Sequence, residues 1–337
     1  MIKLKLSDET NMKCFSGLIH AKNILPDYSI ELTTDSSYDF ELIDSNQFFS
    51  TGMPFNDSIS RGIENLQNKS GDYFLVHGGD STSIAGVYEV FKQSNAKYLF
   101  KKQLLTREKY NDPSTIGKWF FGAGSKLDKS YNLSEEEYSK LMLTGYNVGH
   151  NWPTLHNLYD VNYNQKDIDV AAVYQTYIPK EVYDHEIRTD ILYSNHREAA
   201  WKQLSKLPNR KIVAQQTDPN TMHQVLHRSK ISISPYGMGE LCYRDLESIQ
   251  HGCIMIKPNM DFVITEPNLF IANETYIPCK VDYSDLPDIV ENILGNYQDY
   301  LYITENARKK LVESYSYNSV ALYWYNFFAN LSEVSHA

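Results

Sequence analysis

The segment from Ile231 to Asn259 constrains the fold more than any other part of the chain. Its sequence, ISISPYGMGELCYRDLESIQHGCIMIKPN, places a polar stretch with helical spacing between two short apolar runs. The pattern predicts a strand, a glycine loop, a short helix, a Gly-Cys turn and a second strand. Parallel strands need a crossover of this kind, which is usually helical. We therefore expect the segment to lie within a parallel α/β sheet.

The glycine loop is a candidate anion site. Gly237 and Gly239 allow the backbone to turn sharply and to approach a ligand closely. The helix that follows directs its first N–H groups toward the loop, an arrangement suited to phosphate. The residues predicted to form this cradle, together with the adjoining tyrosine and glutamate, are Tyr236, Gly237, Met238, Gly239 and Glu240.

A cation and a carboxylate follow on one face of the helix. Arg244 can form forked hydrogen bonds to a diphosphate, and Glu247, three residues later, can accept from two ribose hydroxyls. A solvated helix pair that contributes a few tenths of a kcal/mol is the alternative interpretation. In the same way, the ring of Tyr236 either packs on a ligand or caps the end of the strand.

The alternation of strands and helices runs through both halves of the chain. YFLVH (Tyr73–His77) is a continuously apolar strand followed by GGDS, and the chain from residue 166 onward repeats the pattern before a long helical tail. The sequence therefore predicts two doubly wound, Rossmann-like domains facing a cleft. The predicted divisions are residues 1–150, a linker at 151–165, a second domain at 166–315 and a helix at 316–337 packing back toward the first.

Composition limits the classes of partner. The 337 residues carry a formal net charge of −10, which argues against a surface that clamps polyanions throughout. The segment from Lys97 to Lys129 is an exception, with eight basic residues, three acidic ones and several aromatics. It suits either a polyanion or an ordinary acceptor loop whose aromatics stack on sugars. Its candidate acceptor contacts are Lys101, Lys102 and Trp119.

Cysteine spacing and hydropathy indicate the compartment. The four cysteines form no Cys-x-x-Cys pair, so we expect free thiols, no zinc site and a reducing environment. The N-terminus lacks the apolar core of a signal peptide, and no run has the length of a membrane span. We expect a cytoplasmic protein, located in the host cytoplasm if it is viral.

The segment SPYGMGELCYRDLESIQHGCIMIKP resembles the donor-binding signature of GT-B glycosyltransferases, in particular of the exostosin-like and group-1-like families. Arg244, Glu247, Gly252 and Cys253 match that pattern. The resemblance implies a nucleotide-diphosphate sugar as donor, with a UDP-sugar expected, and no required cofactor or metal. Many retaining members have two glutamates spaced E-x7-E, whereas Glu240 and Glu247 are separated by six residues. Retention and inversion therefore both stay open.

An inverting enzyme of this kind also needs a general base, which the first domain would supply. Asp80 in HGGDS is the first candidate, because it follows a buried strand, and His77 and Asp8 are the alternatives. Asp80 is equally suited to capping a helix near Ile84. Gly17 would approach the donor from the opposite wall.

Two further arginines, Arg188 and Arg197, are candidate phosphate contacts, although exposed arginine is common and each fits a surface charge as well. Three functions are consistent with the sequence. The first is sugar transfer to a hydroxyl of a glycan or glycoconjugate. The second keeps that chemistry with hydroxymethylcytosine in DNA as the acceptor, as in bacteriophage enzymes. The third is a protein of another class, either a non-catalytic one that binds a sugar nucleotide or a glycan, or an epimerase that shares the two-domain fold.

Overall fold

The computed structural model describes residues 1–10, 12–49, 55–112, 131–145, 157–176, 189–237 and 239–334. Within these ranges the strands are β1 (Ile2–Leu6), β2 (Ile30–Leu32), β3 (Phe40–Asp44), β4 (Tyr73–His77), β5 (Leu99–Lys101), β6 (Gln103–Leu105), β7 (Leu141–Leu143), β8 (Ile168–Val173), β9 (Ile212–Gln215), β10 (Ser229–Ile233), β11 (Ile254–Pro258), β12 (Val263–Thr265) and β13 (Ile277–Cys279). The helices are α1 (Met12–His20), α2 (Phe55–Gln67), α3 (Val87–Lys92), α4 (Arg107–Asn111), α5 (Glu135–Ser139), α6 (Thr189–Leu204), α7 (Pro219–Arg228), α8 (Tyr243–Gln250), α9 (Leu286–Gly295), α10 (Leu301–Ser314) and α11 (Tyr317–Val334).

Two parallel sheets organise the described residues. The first has the strand order β2-β1-β3-β4-β5-β7 and the second β13-β11-β10-β8-β9, with every neighbouring pair parallel. Parallel strands are joined by crossovers, and their buried faces require apolar side chains on both sides. The isoleucines of β10 and β11 are accordingly buried. The predicted fold class, two parallel α/β units with a helical C-terminal tail, is confirmed.

The C-terminal helix completes the core of the first sheet. Phe74 of β4 and Phe100 of β5 are fully buried, and α11 covers them with aromatic side chains. The rings of Phe100 and Trp324 stack with centroids 5.2 Å apart, and Phe327 lies 5.6 Å from Phe74 in an edge-on arrangement. Helix α11 therefore packs on the first sheet although it follows the second in the chain. The residue numbers of the domain boundaries stay a prediction.

The apolar run LFIA at residues 269–272 predicts an edge strand, and this prediction is wrong, since the structure describes these residues and has no strand there. Thr275 turns this segment into a local loop, because its hydroxyl accepts from the Ile271 N–H at 2.8 Å and donates to the Leu269 carbonyl at 2.6 Å. A side chain that bonds nearby backbone competes with ladder pairing. One edge of the second sheet is instead formed by β13, which pairs with β11.

A third, two-stranded sheet joins the two halves of the chain. Strand β12 pairs antiparallel with β6, in the register Val263 to Leu105 and Thr265 to Gln103. The sequence did not predict this pairing. It ties a strand from the first half to one from the second by backbone hydrogen bonds.

Two further expectations concerned the state of the cysteines and membrane-spanning helices. All four cysteines are free thiols, and none of them forms a disulfide. Among the described residues, no helix combines the length and the apolar character that crossing a membrane requires.

Candidate functional site

A pocket of about 340 Å³ lies between residues that follow strands of the first parallel sheet and residues that follow strands of the second. The loops that line it follow the carboxyl ends of β4, β5, β8 and β10, the usual position of ligand sites in open α/β sheets. The lining residues are Asp80, Lys102, Gln175, Arg197, Gly237, Gly239, Leu241, Cys242, Tyr243, Arg244 and Glu247. Three cations and two carboxylates thus face this pocket in a protein with a net charge of −10.

A buried ion pair holds the glycine loop and the start of α8 in place. Asp245 and Lys257 are both fully buried, and the Lys257 ammonium lies 3.0 Å from Asp245 Oδ1. The same carboxylate accepts from the Ser234 hydroxyl at 2.5 Å and from the Cys242 N–H at 2.8 Å. The second bond caps the helix N-terminus. Asp245 therefore connects the end of β10, the end of β11 and the first turn of α8.

Neither glycine of the loop has room for a side chain. A Cβ on Gly237 would lie 2.8 Å from Cys242 Sγ, and a Cβ on Gly239 would overlap the backbone carbonyl of Asp80. The two glycines also bond to each other, since the Gly237 N–H donates to the Gly239 carbonyl at 2.8 Å. Both lie in the pocket wall. The need for glycine at position 239 comes from contact with the first half of the chain.

Two guanidinium groups are held at the pocket by backbone carbonyls. Arg244 Nε donates to the Val173 carbonyl at 3.1 Å, and Arg197 donates to the carbonyls of Tyr236 and Gln175 at 3.0 and 2.6 Å. Both guanidinium carbons lie over the ring of Tyr174, at 5.0 Å and 5.6 Å from its centroid. The guanidinium groups of Arg197 and Arg244 are therefore held side by side as one cationic surface, the arginine wall.

In the arginine wall, Arg244 has a hydrogen-bond donor left over. The Nη1 atom of Arg244 is buried, and none of the described residues accepts a hydrogen bond from it. A buried donor without an acceptor is costly, which favours an anionic ligand at this position. Arg197 is only 5% exposed, so its alternative interpretation as a surface charge is wrong.

Glu247 lines the pocket one helical turn after Arg244. Burial raises the pKa of its carboxyl, while the charges of Arg244 and His223 oppose that rise. A half-buried carboxylate in this position can accept hydrogen bonds from two neighbouring hydroxyl groups. Its predicted role as a ribose contact stays a prediction.

Asp80 comes from the first half of the chain and lines the pocket, with its backbone carbonyl against Gly239 of the glycine loop. Its side chain is 45% exposed, and Lys102 Nζ lies 3.7 Å from its Oδ1. The suggestion that Asp80 caps the next helix is wrong, because α3 begins at Val87 with Gly86 as its N-cap. Asp80 is thus an accessible carboxylate in the pocket, whereas its role as a base stays a prediction.

The two alternative bases lie elsewhere. His77 Nδ1 is within 3.0 Å of the Ser45 hydroxyl, and burial followed by the charge of Lys101 lowers the pKa of His77. Asp8 is engaged locally, since its carboxylate accepts from the Thr10 N–H and hydroxyl at 2.8 and 2.7 Å. Neither side chain lines the pocket.

Three predicted contacts are buried side chains that do not reach the pocket. The first is Tyr236, which is 1% exposed, donates its hydroxyl to the Asn259 carbonyl at 2.8 Å and stacks on His196. Its ring therefore packs at the end of the strand, as the alternative interpretation held. The second is Lys101, which is fully buried and donates to the Ser83 carbonyl at 2.7 Å. Burial lowers the pKa of Lys101 to about 7.

Glu240 is the third. It is 1% exposed and accepts from the Thr82 N–H at 3.1 Å, the Thr82 hydroxyl at 2.9 Å and Gln103 Nε2 at 2.8 Å. Burial raises the pKa of Glu240 to about 7, against the opposing effect of its bonds with Thr82. Its carboxylate joins the two halves of the chain and does not face a ligand.

The other candidates are placed as follows. Lys102 lines the pocket, whereas Gly17 lies within α1, where its carbonyl accepts from the Ala21 N–H at 3.0 Å. Gly17 is not among the lining residues. Three candidates lie outside the described residues: Met238, Arg188 and Trp119.

Sequence reasoning missed Asp245, Lys257 and Gln103. A signal existed for the ion pair, because a lysine in the apolar strand IMIKP needs a buried partner. Asp245, at the third position of the helix, fits a reciprocal cap. Gln103 carries no local signal, since its partners Glu240 and Leu241 lie more than 130 residues away in the chain.

The two parallel sheets with a pocket between their strand ends form the GT-B arrangement that the sequence resemblance implied. No protein-family model and no curated protein matches the chain. Solved structures do: an α-glucosyltransferase (AGT) in complex with UDP is 11% identical, with a TM-score of 0.46, over 98% of this chain and 100% of that one.

Two other solved structures are similar. HepE from Anabaena in complex with UDP-glucose is 9% identical, with a TM-score of 0.47, over 98% of this chain and 100% of that one. A glycosyltransferase from Rickettsia africae is 14% identical, with a TM-score of 0.44, over 96% of this chain and 97% of that one. These are distant likenesses, so the fold class rests on the sheet topology itself.

Proposed function

We propose that this protein is a glycosyltransferase that moves a sugar from a nucleotide-diphosphate sugar to a hydroxyl group of a glycan or glycoconjugate, without a required metal. The observation that carries the proposal is the arginine wall formed by Arg197 and Arg244 beside the glycine loop and the start of α8. Fixed cations and helix N-terminal dipoles stabilise the charge that a diphosphate develops as it leaves.

The proposed roles follow the positions of the pocket residues. Arg244 and Arg197 neutralise the diphosphate, Glu247 accepts from the ribose hydroxyls, and Asp80 acts on the acceptor hydroxyl from the opposite wall. A UDP-sugar is the proposed donor, which rests on the sequence resemblance. Retention and inversion both stay open.

A glycan acceptor is favoured over DNA by the described part of the basic segment. Lys97, Arg107 and Lys109 are paired with Asp72, Glu135 and Asp112. Lys102 faces Asp80, and Lys101 is buried. Cations that already have carboxylate partners form a weak phosphate-binding surface, since affinity for DNA follows the number of phosphates neutralised.

The test is binding of UDP, GDP, ADP and CMP and of their common sugar conjugates, measured by calorimetry on the wild-type protein and on Arg244→Ala. We expect one nucleotide diphosphate to bind the wild type, with affinity reduced on the order of tenfold or more in Arg244→Ala, because a hydrogen-bonded charge is lost. Lys102→Ala is the matched control, since it removes a pocket cation from the opposite wall. Absence of nucleotide binding, or equal affinity in Arg244→Ala, would contradict the proposal.

The acceptor is tested separately. Donor hydrolysis without an acceptor, and its stimulation by added glycans or by DNA containing hydroxymethylcytosine, distinguishes the two acceptor classes. We expect stimulation by glycans and no salt-sensitive gel shift with the DNA. A protein that binds the nucleotide sugar but neither hydrolyses nor transfers it would be a binding protein.

A further inference from the structure

Gln103 forms hydrogen bonds to residues on both walls of the pocket. Its side chain is fully buried, and its amide Nε2 donates both to Glu240 Oε2 at 2.8 Å and to the backbone carbonyl of Asp80. Its amide oxygen accepts from the Leu241 N–H at 2.9 Å. One side chain therefore bonds to the loop that carries Asp80 and to the loop that carries the glycines.

Glu240 makes the reciprocal connection. It lies at the end of the glycine loop, and its carboxylate accepts from the N–H and the hydroxyl of Thr82, two residues after Asp80. Thr82 is itself held in place, because its carbonyl accepts from the Tyr110 hydroxyl at 2.6 Å. Both polar ends of Gln103 and both oxygens of Glu240 are thus satisfied inside the protein, the condition under which a buried polar network specifies one geometry.

The side chains of Gln103 and Glu240 thus form a bridge between the two loops, and the backbones on either side of this bridge are fixed as well. Gln103 is the first residue of β6, where it pairs with Thr265 of β12 in the ladder that joins the two halves. The Thr106 N–H continues this connection by donating to the Phe262 carbonyl at 3.0 Å. Above the bridge, Gly239 touches the Asp80 carbonyl so closely that no side chain fits between them.

Neither Gln103 nor Glu240 lines the pocket. We propose that these two residues are positioning residues, which hold Asp80 at a fixed distance from the glycine loop so that the two walls of the pocket are assembled before any ligand binds. The connection to catalysis rests on the proposed function, in which Asp80 acts on the acceptor. A preassembled site avoids the free-energy cost of ordering its walls when the ligand binds.

The test is hydrogen exchange of single backbone amides in the ligand-free protein. Each amide is followed in the variant that does not remove its own hydrogen-bond partner. The Thr82 amide bonds to Glu240 and is measured in Gln103→Ala, whereas the Leu241 amide bonds to Gln103 and is measured in Glu240→Gln. In each variant the amide that is followed has not lost its own partner. We expect exchange on the order of tenfold faster at both amides, because loss of one half of the bridge releases the other.

A matched control separates the bridge from the strand ladder. Ile264→Ala alters β12 at a position that is 38% exposed and lies opposite Leu104, one residue from the Thr265–Gln103 pair. We expect both amides to keep wild-type exchange in this variant. Gln103→Met, which keeps the side-chain volume without the amide, serves if Gln103→Ala fails to fold.

Unchanged exchange at Thr82 in Gln103→Ala and at Leu241 in Glu240→Gln would overturn the proposal, as would equal acceleration in Ile264→Ala. A second arm uses UDP as the probe, with the rate of donor hydrolysis measured alongside. We expect Gln103→Ala to lower kcat by a larger factor than it weakens UDP binding, because Asp80 loses this contact while Arg197 and Arg244 keep their carbonyl partners. If UDP does not bind the wild type, the proposed function fails, while the amide comparison still decides the bridge.

Discussion

At the scale of single residues, the pocket depends on charges buried beneath it. Asp245 and Lys257 have no exposed surface, and the carboxylate also bonds to Ser234 and Cys242. A buried ion pair is costly to desolvate, and removal of one partner leaves the other charge uncompensated. The pair therefore connects the stability of the second sheet to the shape of the glycine loop.

Asp245→Asn should lower the free energy of unfolding by about 3–5 kcal/mol, because the Lys257 ammonium remains buried without its counter-charge. The double variant Asp245→Asn, Lys257→Met should be less destabilised than the sum of the two single variants. Denaturant unfolding of the four proteins measures this coupling. Strict additivity would mean that the two charges do not interact.

Glu247 gives the pocket a pH dependence of known sign. Burial raises the pKa of its carboxyl, so protonation begins at a higher pH than for an ordinary glutamate. The protonated form accepts fewer hydrogen bonds, and we expect nucleotide affinity to fall as pH is lowered through that raised pKa. Calorimetric titration of wild type and Glu247→Gln across this range is the measurement. The variant should lose that part of the pH dependence; an unaltered profile would exclude Glu247 as its source.

At the scale of elements, the sequence predicted the strand, glycine loop and helix of residues 231–259 but not the contacts between residues distant in the chain. Arg244 and Glu247 line the pocket, and the features that singled them out in the sequence, namely the glycine loop, the helix start and the i, i+3 spacing, are all local patterns. Whether Tyr236 faces a ligand or the core depends on Asn259 and His196, which the spacing does not reveal. Lys101 and Glu240 were misassigned because burial of a charge depends on partners distant in sequence.

The β6–β12 ladder illustrates the same limit. Its strands are three residues long, are separated by more than 150 residues and come from different halves of the chain. Short apolar runs such as these do not specify a partner by periodicity. The parallel sheets, by contrast, follow from repeated strand and helix patterns along the chain.

Gly239→Ala tests the contact between the two halves at the glycine loop. The added methyl would overlap the Asp80 carbonyl, so the backbones must separate. We expect lower thermal stability and weaker nucleotide binding. Gly295→Ala is the matched control, because a Cβ there has no neighbour within 4 Å. Similar melting temperatures for the two variants would contradict the steric overlap between a side chain at position 239 and the Asp80 carbonyl.

At the scale of the whole molecule, α11 links the end of the chain to the first sheet. Trp324 is 2% exposed and stacks on Phe100, with Phe327 and Phe328 filling the adjoining space. These aromatics supply much of the apolar surface buried on that face of the sheet.

Trp324→Ala should lower the free energy of unfolding by about 3–5 kcal/mol, since truncating a large buried side chain leaves a cavity. Leu322→Ala lies on the same helix but is 47% exposed before substitution, and it should change stability by less than about 0.5 kcal/mol. Chemical denaturation of both variants provides the comparison. Equal effects would indicate that α11 contributes through helix content and not through its buried face.

The position of α11 also sets an order of events during synthesis. A ribosome releases the strands of the first sheet well before the aromatic side chains of α11 that cover Phe74 and Phe100, because the whole second sheet lies between them in the sequence. Until then Phe74 and Phe100 lack the cover of α11, and exposed apolar surface of this kind binds chaperones or aggregates. Synthesis of α11, and not completion of the first half, is therefore the step that covers this face of the sheet.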